Sequence, residues 1–92
     1  MRCYLFIRYT VKDYSYWRAE YDGECIRGWR ESNGEKSCQV FRDEDNPHQV
    51  TLLCEWKNAD SAKKFISDPQ LSDNMQISGV TDQPTIYLLH KD

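Results

Sequence analysis

The sequence predicts an α+β fold, a ferredoxin-like βαββαβ sandwich built on an antiparallel four-stranded sheet. Three observations predict it. Apolar segments with strand and helix periodicity alternate in the order strand, helix, strand, strand, helix, strand. A polar, proline-containing turn separates the two middle strands. The strands are apolar on both faces.

Cys3 to Val11 is β-branched and aromatic and reads as the first strand. Asp13 or Ser15 caps a helix expected to run to about Ser32. Tyr14, Trp17, Tyr21, Cys25 and Gly28 follow at three- and four-residue steps, so one helix would carry them on its inward face. Gly28 on that face predicts a close approach of helix to sheet. Asn33-Gly34 ends the helix, because both residues tolerate the left-handed backbone of a C-cap. Glu35 to Arg42 and His48 to Trp56 form a hairpin around Asp43-Glu44-Asp45-Asn46-Pro47. Asn58 or Asp60 caps a second helix through Ser67, with Ala59, Ala62, Phe65 and Ile66 inward. Pro69 stops or restarts it, Leu71 to Ile77 forms a short helical turn, and Thr85 to His90 is the last strand.

Two helices cover only one face of such a sheet. Yet Cys3, Leu5 and Ile7 alternate with Tyr4 and Phe6, and Ile86 and Leu88 alternate with Tyr87 and Leu89. The second apolar face needs a cover, and a second copy of the chain offering the same face supplies it by two-fold symmetry. The expected assembly is a homodimer.

Ninety-two residues are enough for a single domain, over residues 1–92. A net charge of −3 gives no electrostatic footprint for nucleic acid. No stretch has the length of a signal or a membrane span, so the expected location is cytoplasmic, with no membrane partner. Cys3, Cys25, Cys38 and Cys54 are widely spaced and form no C-x-x-C pair. They are therefore expected to be reduced, buried thiols rather than zinc ligands or a disulfide framework.

The stretch from Cys54 to Met75 resembles the strand–helix segment of antibiotic biosynthesis monooxygenase-type domains. Glu55-Trp56, Ala59, Ala62, Ser67, Pro69 and Leu71 fit their outline of an acidic-Trp strand end, an alanine-containing helix and a proline break before a large apolar residue. The resemblance implies a dimeric α+β barrel. It also implies a cofactor-independent monooxygenase or cyclase-like enzyme acting on an aromatic or polyketide-like molecule. Phe65 stands where many members carry a His, and Met75 stands where the haem-degrading branch carries its ligating His. Haem chemistry is therefore not carried over, and no cofactor or metal is expected.

Candidate ligand-binding residues follow from the aromatic stripe. Tyr14, Trp17 and Tyr21 suit either plain core or the wall of a pocket for a planar, apolar or aromatic ligand, and Phe65 and Met75 would close the space. Arg42 shares the parity of Cys38 and Val40, where a charge would anchor an anionic group or pair with a nearby carboxylate. Glu55 lies between Cys54 and Trp56 as a rim carboxylate, and His48 and His90 have no local ligand partners. No nucleophile–His–acid set or phosphate loop is legible, so no catalytic residue is assigned. The competing reading is a non-catalytic dimer that holds a metabolite or is purely structural.

Overall fold

The computed structural model describes residues 2–92. The strands are β1 (Cys3–Thr10), β2 (Glu35–Arg42), β3 (Gln49–Trp56) and β4 (Thr85–His90). They form one sheet in the order β2-β3-β1-β4, and each neighbouring pair is antiparallel. Both the element order and the sheet order are those of the predicted ferredoxin-like sandwich. β1 and β3 occupy the centre, and in both every second residue is buried. Leu5, Ile7, Tyr9, Val50, Leu52, Cys54 and Trp56 make that buried row under the helices.

The expected first helix is two helices. α1 (Tyr14–Asp22) starts where Asp13 accepts a hydrogen bond from the Tyr16 amide, as the capping argument requires. It stops at Gly23, an extended residue that also begins α2 (Glu24–Asn33). The break changes which side chains face inward. Trp17 and Tyr21 of α1 are buried, whereas Cys25 and Gly28 of α2 are exposed. Nothing lies within 4 Å of the position a Gly28 Cβ would take, so the predicted close helix–sheet approach there is absent. Arg30 takes the inward place in α2 instead.

The last segments hold one smaller correction and settle one alternative. α3 (Ala59–Ser67) is capped by Asn58 and buries Ala62 and Phe65, with Ile66 half-buried, but Ala59 in its first turn is exposed. Pro69 opens α4 (Pro69–Ile77), so of the two readings, stop or restart, it is the restart that holds. A first-turn proline loses no helix hydrogen bond, and Asp68 caps the new helix through the Gln70 amide. Among the described residues, no helix is long and apolar enough to cross a membrane.

Three of the four cysteines also depart from expectation. Cys38 and Cys54 are directly opposed in the β2–β3 ladder, with Cα atoms 3.9 Å apart, and are joined as a disulfide. They are sixteen positions apart in sequence, which hides a contact that only strand pairing creates. Cys3 is a buried free thiol as predicted, while Cys25 is free but exposed.

Gly34 caps α2 with φ of 122°, where a Cβ would also press on Lys57 and Ser61 at 3.2 Å. Gly34→Ala should therefore cost about 1–3 kcal/mol. Gly28→Ala, in an open helix interior, should instead stabilise by about 0.5–1 kcal/mol. Urea denaturation of the two variants checks the opposite signs.

Candidate active site

Between the sheet and the helices lies a cavity of about 40 Å³. Its floor is Ile7, Tyr9, Leu52, Cys54 and Trp56 of the sheet, and its walls are aromatic. Tyr21 stacks on Trp17 with ring centroids 4.9 Å apart, and Phe65 sits 4.7 Å from Trp29 and 4.6 Å from Trp56. The indole N–H of Trp17 donates to the Tyr9 hydroxyl at 3.0 Å, which satisfies a buried donor. Met75 and Leu71 of α4 close the other side.

Of the six residues named from sequence, the structure brings Trp17, Tyr21, Phe65 and Met75 to this cavity. Tyr14 and Arg42 form a separate pair at the end of the helix layer. The Arg42 guanidinium lies 3.8 Å from the centre of the Tyr14 ring, and its Nε and Nη2 donate to the Pro47 carbonyl. Arg42 is exposed and Tyr14 half-buried, so this pair reaches the aromatic wall only through the Tyr14–Trp17 ring contact.

The polar end of the cavity is made by two residues the sequence reading passed over. Arg30 is 6% exposed, and its guanidinium lies 3.5 Å from the Tyr21 ring centroid. Glu35 Oε2 stands 3.5 Å from Arg30 Nε, with both side chains buried. Among the described residues, Arg30 Nε and Nη1 have no hydrogen-bond partner, so the ion pair leaves buried guanidinium donors unsatisfied in a residue that lines the cavity. Desolvation raises the Glu35 carboxyl above its ordinary value of 4.5, while Arg30 pulls it back down. Burial also pushes the Tyr9 and Tyr21 hydroxyls well up, so both keep their protons and act as neutral hydrogen-bond groups. A carboxylate of raised affinity for protons beside a partly unpaired guanidinium, inside an aromatic wall, can take a proton from an acidic ligand and hold the resulting anion.

Local irregularities put both residues there. On one continuous helix Arg30 would lie nine residues, or about half a turn, around from Tyr21 and would point away from it. The break at Gly23 re-aims α2 and lays Arg30 on the Tyr21 ring. Glu35 has the odd parity of Ser37 and would face away from the helices in a regular strand. The ladder shifts between Glu35 and Ser37, so Glu35 pairs with Trp56 and turns inward while Ser37 pairs with outward Glu55. Glu55 itself is on the open face, 3.8 Å from Lys36 Nζ.

No family model matches the sequence, and no curated protein does. Solved structures do match. A putative antibiotic biosynthesis monooxygenase from Bordetella bronchiseptica superposes with a TM-score of 0.78 at 12% identity, over 99% of this chain and 97% of that one. A mutant form of SnoaB, a cofactor-independent oxygenase from Streptomyces nogalater, superposes with a TM-score of 0.73 at 12% identity, over 98% and 92%. The chain has the fold of the antibiotic biosynthesis monooxygenases. The ActVA-Orf6 monooxygenase of Streptomyces coelicolor, solved with nanaomycin D, is a third such structure, with a TM-score of 0.67 at 14% identity over 98% and 87%. Within the antibiotic biosynthesis monooxygenase fold, the cavity of this chain lies between its own sheet and its helices.

The raised Glu35 carboxyl has a definite pH signature. The folded state holds this proton more tightly than the unfolded chain does, so above 4.5 folding takes up a proton and stability falls as pH rises towards the folded-state value. Glu35→Gln should remove that component, flattening the pH dependence of the urea midpoint relative to wild type. Parallel wild-type and variant curves would show that Glu35 does not titrate abnormally.

Proposed function

We propose that the chain, as one domain, forms a homodimer whose subunits each bind a flat, mostly apolar aromatic or polyketide-like molecule and transform it without a cofactor, by monooxygenase- or cyclase-type chemistry. The observation that carries this reading is the buried Arg30–Glu35 pair at the edge of an aromatic cavity, with guanidinium donors left unpaired. Trp17, Tyr21, Phe65 and Met75 are the wall against which the ligand stacks, and Tyr14 and Arg42 mark its outer end. Glu35 takes a proton from an acidic hydroxyl, or from carbon beside a carbonyl, and Arg30 stabilises the anion left on oxygen. An electron-rich anion held in a desolvated site is the species that reacts with dioxygen or closes a ring. SnoaB is a cofactor-independent oxygenase and ActVA-Orf6 a monooxygenase, which supports this choice of chemistry.

The cavity volume favours a second reading. About 40 Å³ holds roughly three waters, whereas small-molecule sites typically have about 300–1,000 Å³. A ligand must displace a ring or open the helix layer, and a protein that only holds a metabolite needs no more than that. Hydroxylated bicyclic and tricyclic aromatics, compared with their O-methyl ethers, test the binding step. Acidic hydroxyl compounds should bind about tenfold more tightly, as one charge-assisted hydrogen bond allows, and Arg30→Met should abolish the difference. Equal affinity for both series, or none for either, would refute the anion site. Oxygen uptake or a product detected by mass spectrometry then separates enzyme from carrier.

The homodimer rests on the sheet face away from the helices. Tyr4, Phe6, Phe41, Leu53, Tyr87 and Leu89 all point there by strand parity, and Phe41, Tyr87 and Leu89 are about half exposed. Phe6 and Tyr87 already pack together, with ring centroids 5.8 Å apart, so the face carries an apolar patch. Sedimentation at micromolar concentration should give about twice the 10.9 kDa chain mass. Leu53→Glu should shift it to the single-chain value, and a wild-type monomer would rule out the assembly.

A further inference from the structure

The Cys38–Cys54 disulfide is not in a loop or at a terminus, but in the wall of the cavity. Cys54 lines it and is buried, whereas Cys38, on the outer strand β2, is half-buried. The Tyr21 hydroxyl donates to Cys38 Sγ at 3.0 Å and stands 3.8 Å from Cys54 Sγ. Arg30 lies on the opposite side of the same interaction, 3.5 Å from the Tyr21 ring. Glu35 completes the group, its carboxylate oxygen and the two sulfurs lying within 4.8 Å of one another. A disulfide with one reachable sulfur, and with a proton donor beside both sulfurs, is arranged for exchange rather than for closure of a loop.

We propose that Cys38 and Cys54 form a second chemically active site, a dithiol–disulfide couple that exchanges two electrons with low-molecular-weight thiols. The thiolate of the co-reactant attacks Cys38 Sγ, the more accessible sulfur. A mixed disulfide forms on Cys38, the Cys38–Cys54 bond breaks, and Cys54 leaves as a thiolate. The Tyr21 hydroxyl, which burial keeps protonated, hydrogen-bonds that thiolate. A second thiol attacks the mixed disulfide, so the co-reactant leaves as its own disulfide and Cys38 becomes a thiolate. The two protons lost by the co-reactant thiols end on Cys38 and Cys54. Two thiols are thus oxidised to one disulfide as the protein's disulfide is reduced to two thiols, and the reverse reaction restores it. Reduction frees Cys54 at the cavity wall and leaves the Tyr21 hydroxyl between two separate sulfurs, so the couple changes the polar surface that a ligand would meet. This chemistry stands whether or not the cavity binds an aromatic molecule.

Glutathione is the probe. The full chain is equilibrated without denaturant in buffers of varied reduced-to-oxidised glutathione ratio, quenched in acid, alkylated and peptide-mapped. The peptides carrying Cys38 and Cys54 should pass together from bonded to alkylated as the ratio rises. The trapped intermediate should carry glutathione on Cys38 and not on Cys54. Mapping separates these events from any at the exposed free Cys25. A bond that persists at every ratio until urea is added would overturn the proposal and leave an inert cross-link. Two cysteines alkylated at every ratio would overturn it as well. Tyr21→Phe keeps the ring and removes the donor, so reduction should slow by about tenfold with the fold unchanged by circular dichroism. An unchanged rate would overturn the role given to Tyr21.

Discussion

Arg30 carries a charge into an interior otherwise made of rings and aliphatic side chains, and several features of the structure are needed to hold it there. An isolated buried guanidinium is prohibitively unfavourable, so its surroundings must supply compensation. They do so in two ways: the face of Tyr21 accepts the cation at 3.5 Å, and the Glu35 carboxylate neutralises it from the edge of the sheet. Tyr21 is itself held in place by stacking on Trp17, and Trp17 by its hydrogen bond to Tyr9 in the central strand β1. A chain of contacts therefore runs from the middle of the sheet to the charge.

This chain explains why the two helices are not one. A straight helix from Asp13 to Asn33 would have continued the Tyr14–Trp17–Tyr21 stripe through Cys25 and Gly28 and buried a thiol and a bare backbone. Stopping at Gly23 gives up a few helical hydrogen bonds, each of small net worth in water. It brings in a side chain long enough to cover Tyr21 and to reach Glu35. The bulge at the start of β2 makes the complementary adjustment from the sheet side by turning Glu35 under the helices.

The legible part of the molecule is the part that obeys a period. Alternation in β1, β3 and β4 gave the strands and the two-sided sheet, the Asp13 and Asn58 caps gave two helix starts, and Trp17, Tyr21, Phe65 and Met75 were placed at the cavity by helical spacing and the resemblance over Cys54–Met75. Arg30 and Glu35 were missed because each owes its position to a place where the period breaks. Cys38 and Cys54 were misread for a related reason: each follows its own strand's alternation, but their meeting depends on the β2–β3 register, which neither segment contains. Arg42 was given the correct parity, yet at the strand end that parity leads to the half-buried Tyr14 ring rather than to the cavity.

The two halves of the polar cluster meet on one tyrosine, Tyr21, and influence each other through it. Tyr21 receives Arg30 on its ring and donates a hydrogen bond to Cys38 Sγ from its hydroxyl. A cation over the ring withdraws electron density and makes the hydroxyl a better donor, which favours a sulfur acceptor and, still more, a thiolate. A thiolate at Cys54 would in turn place negative charge near Arg30 and compete with Glu35 for it. The free guanidinium donors and the sulfur pair are therefore not separate features of one cavity wall.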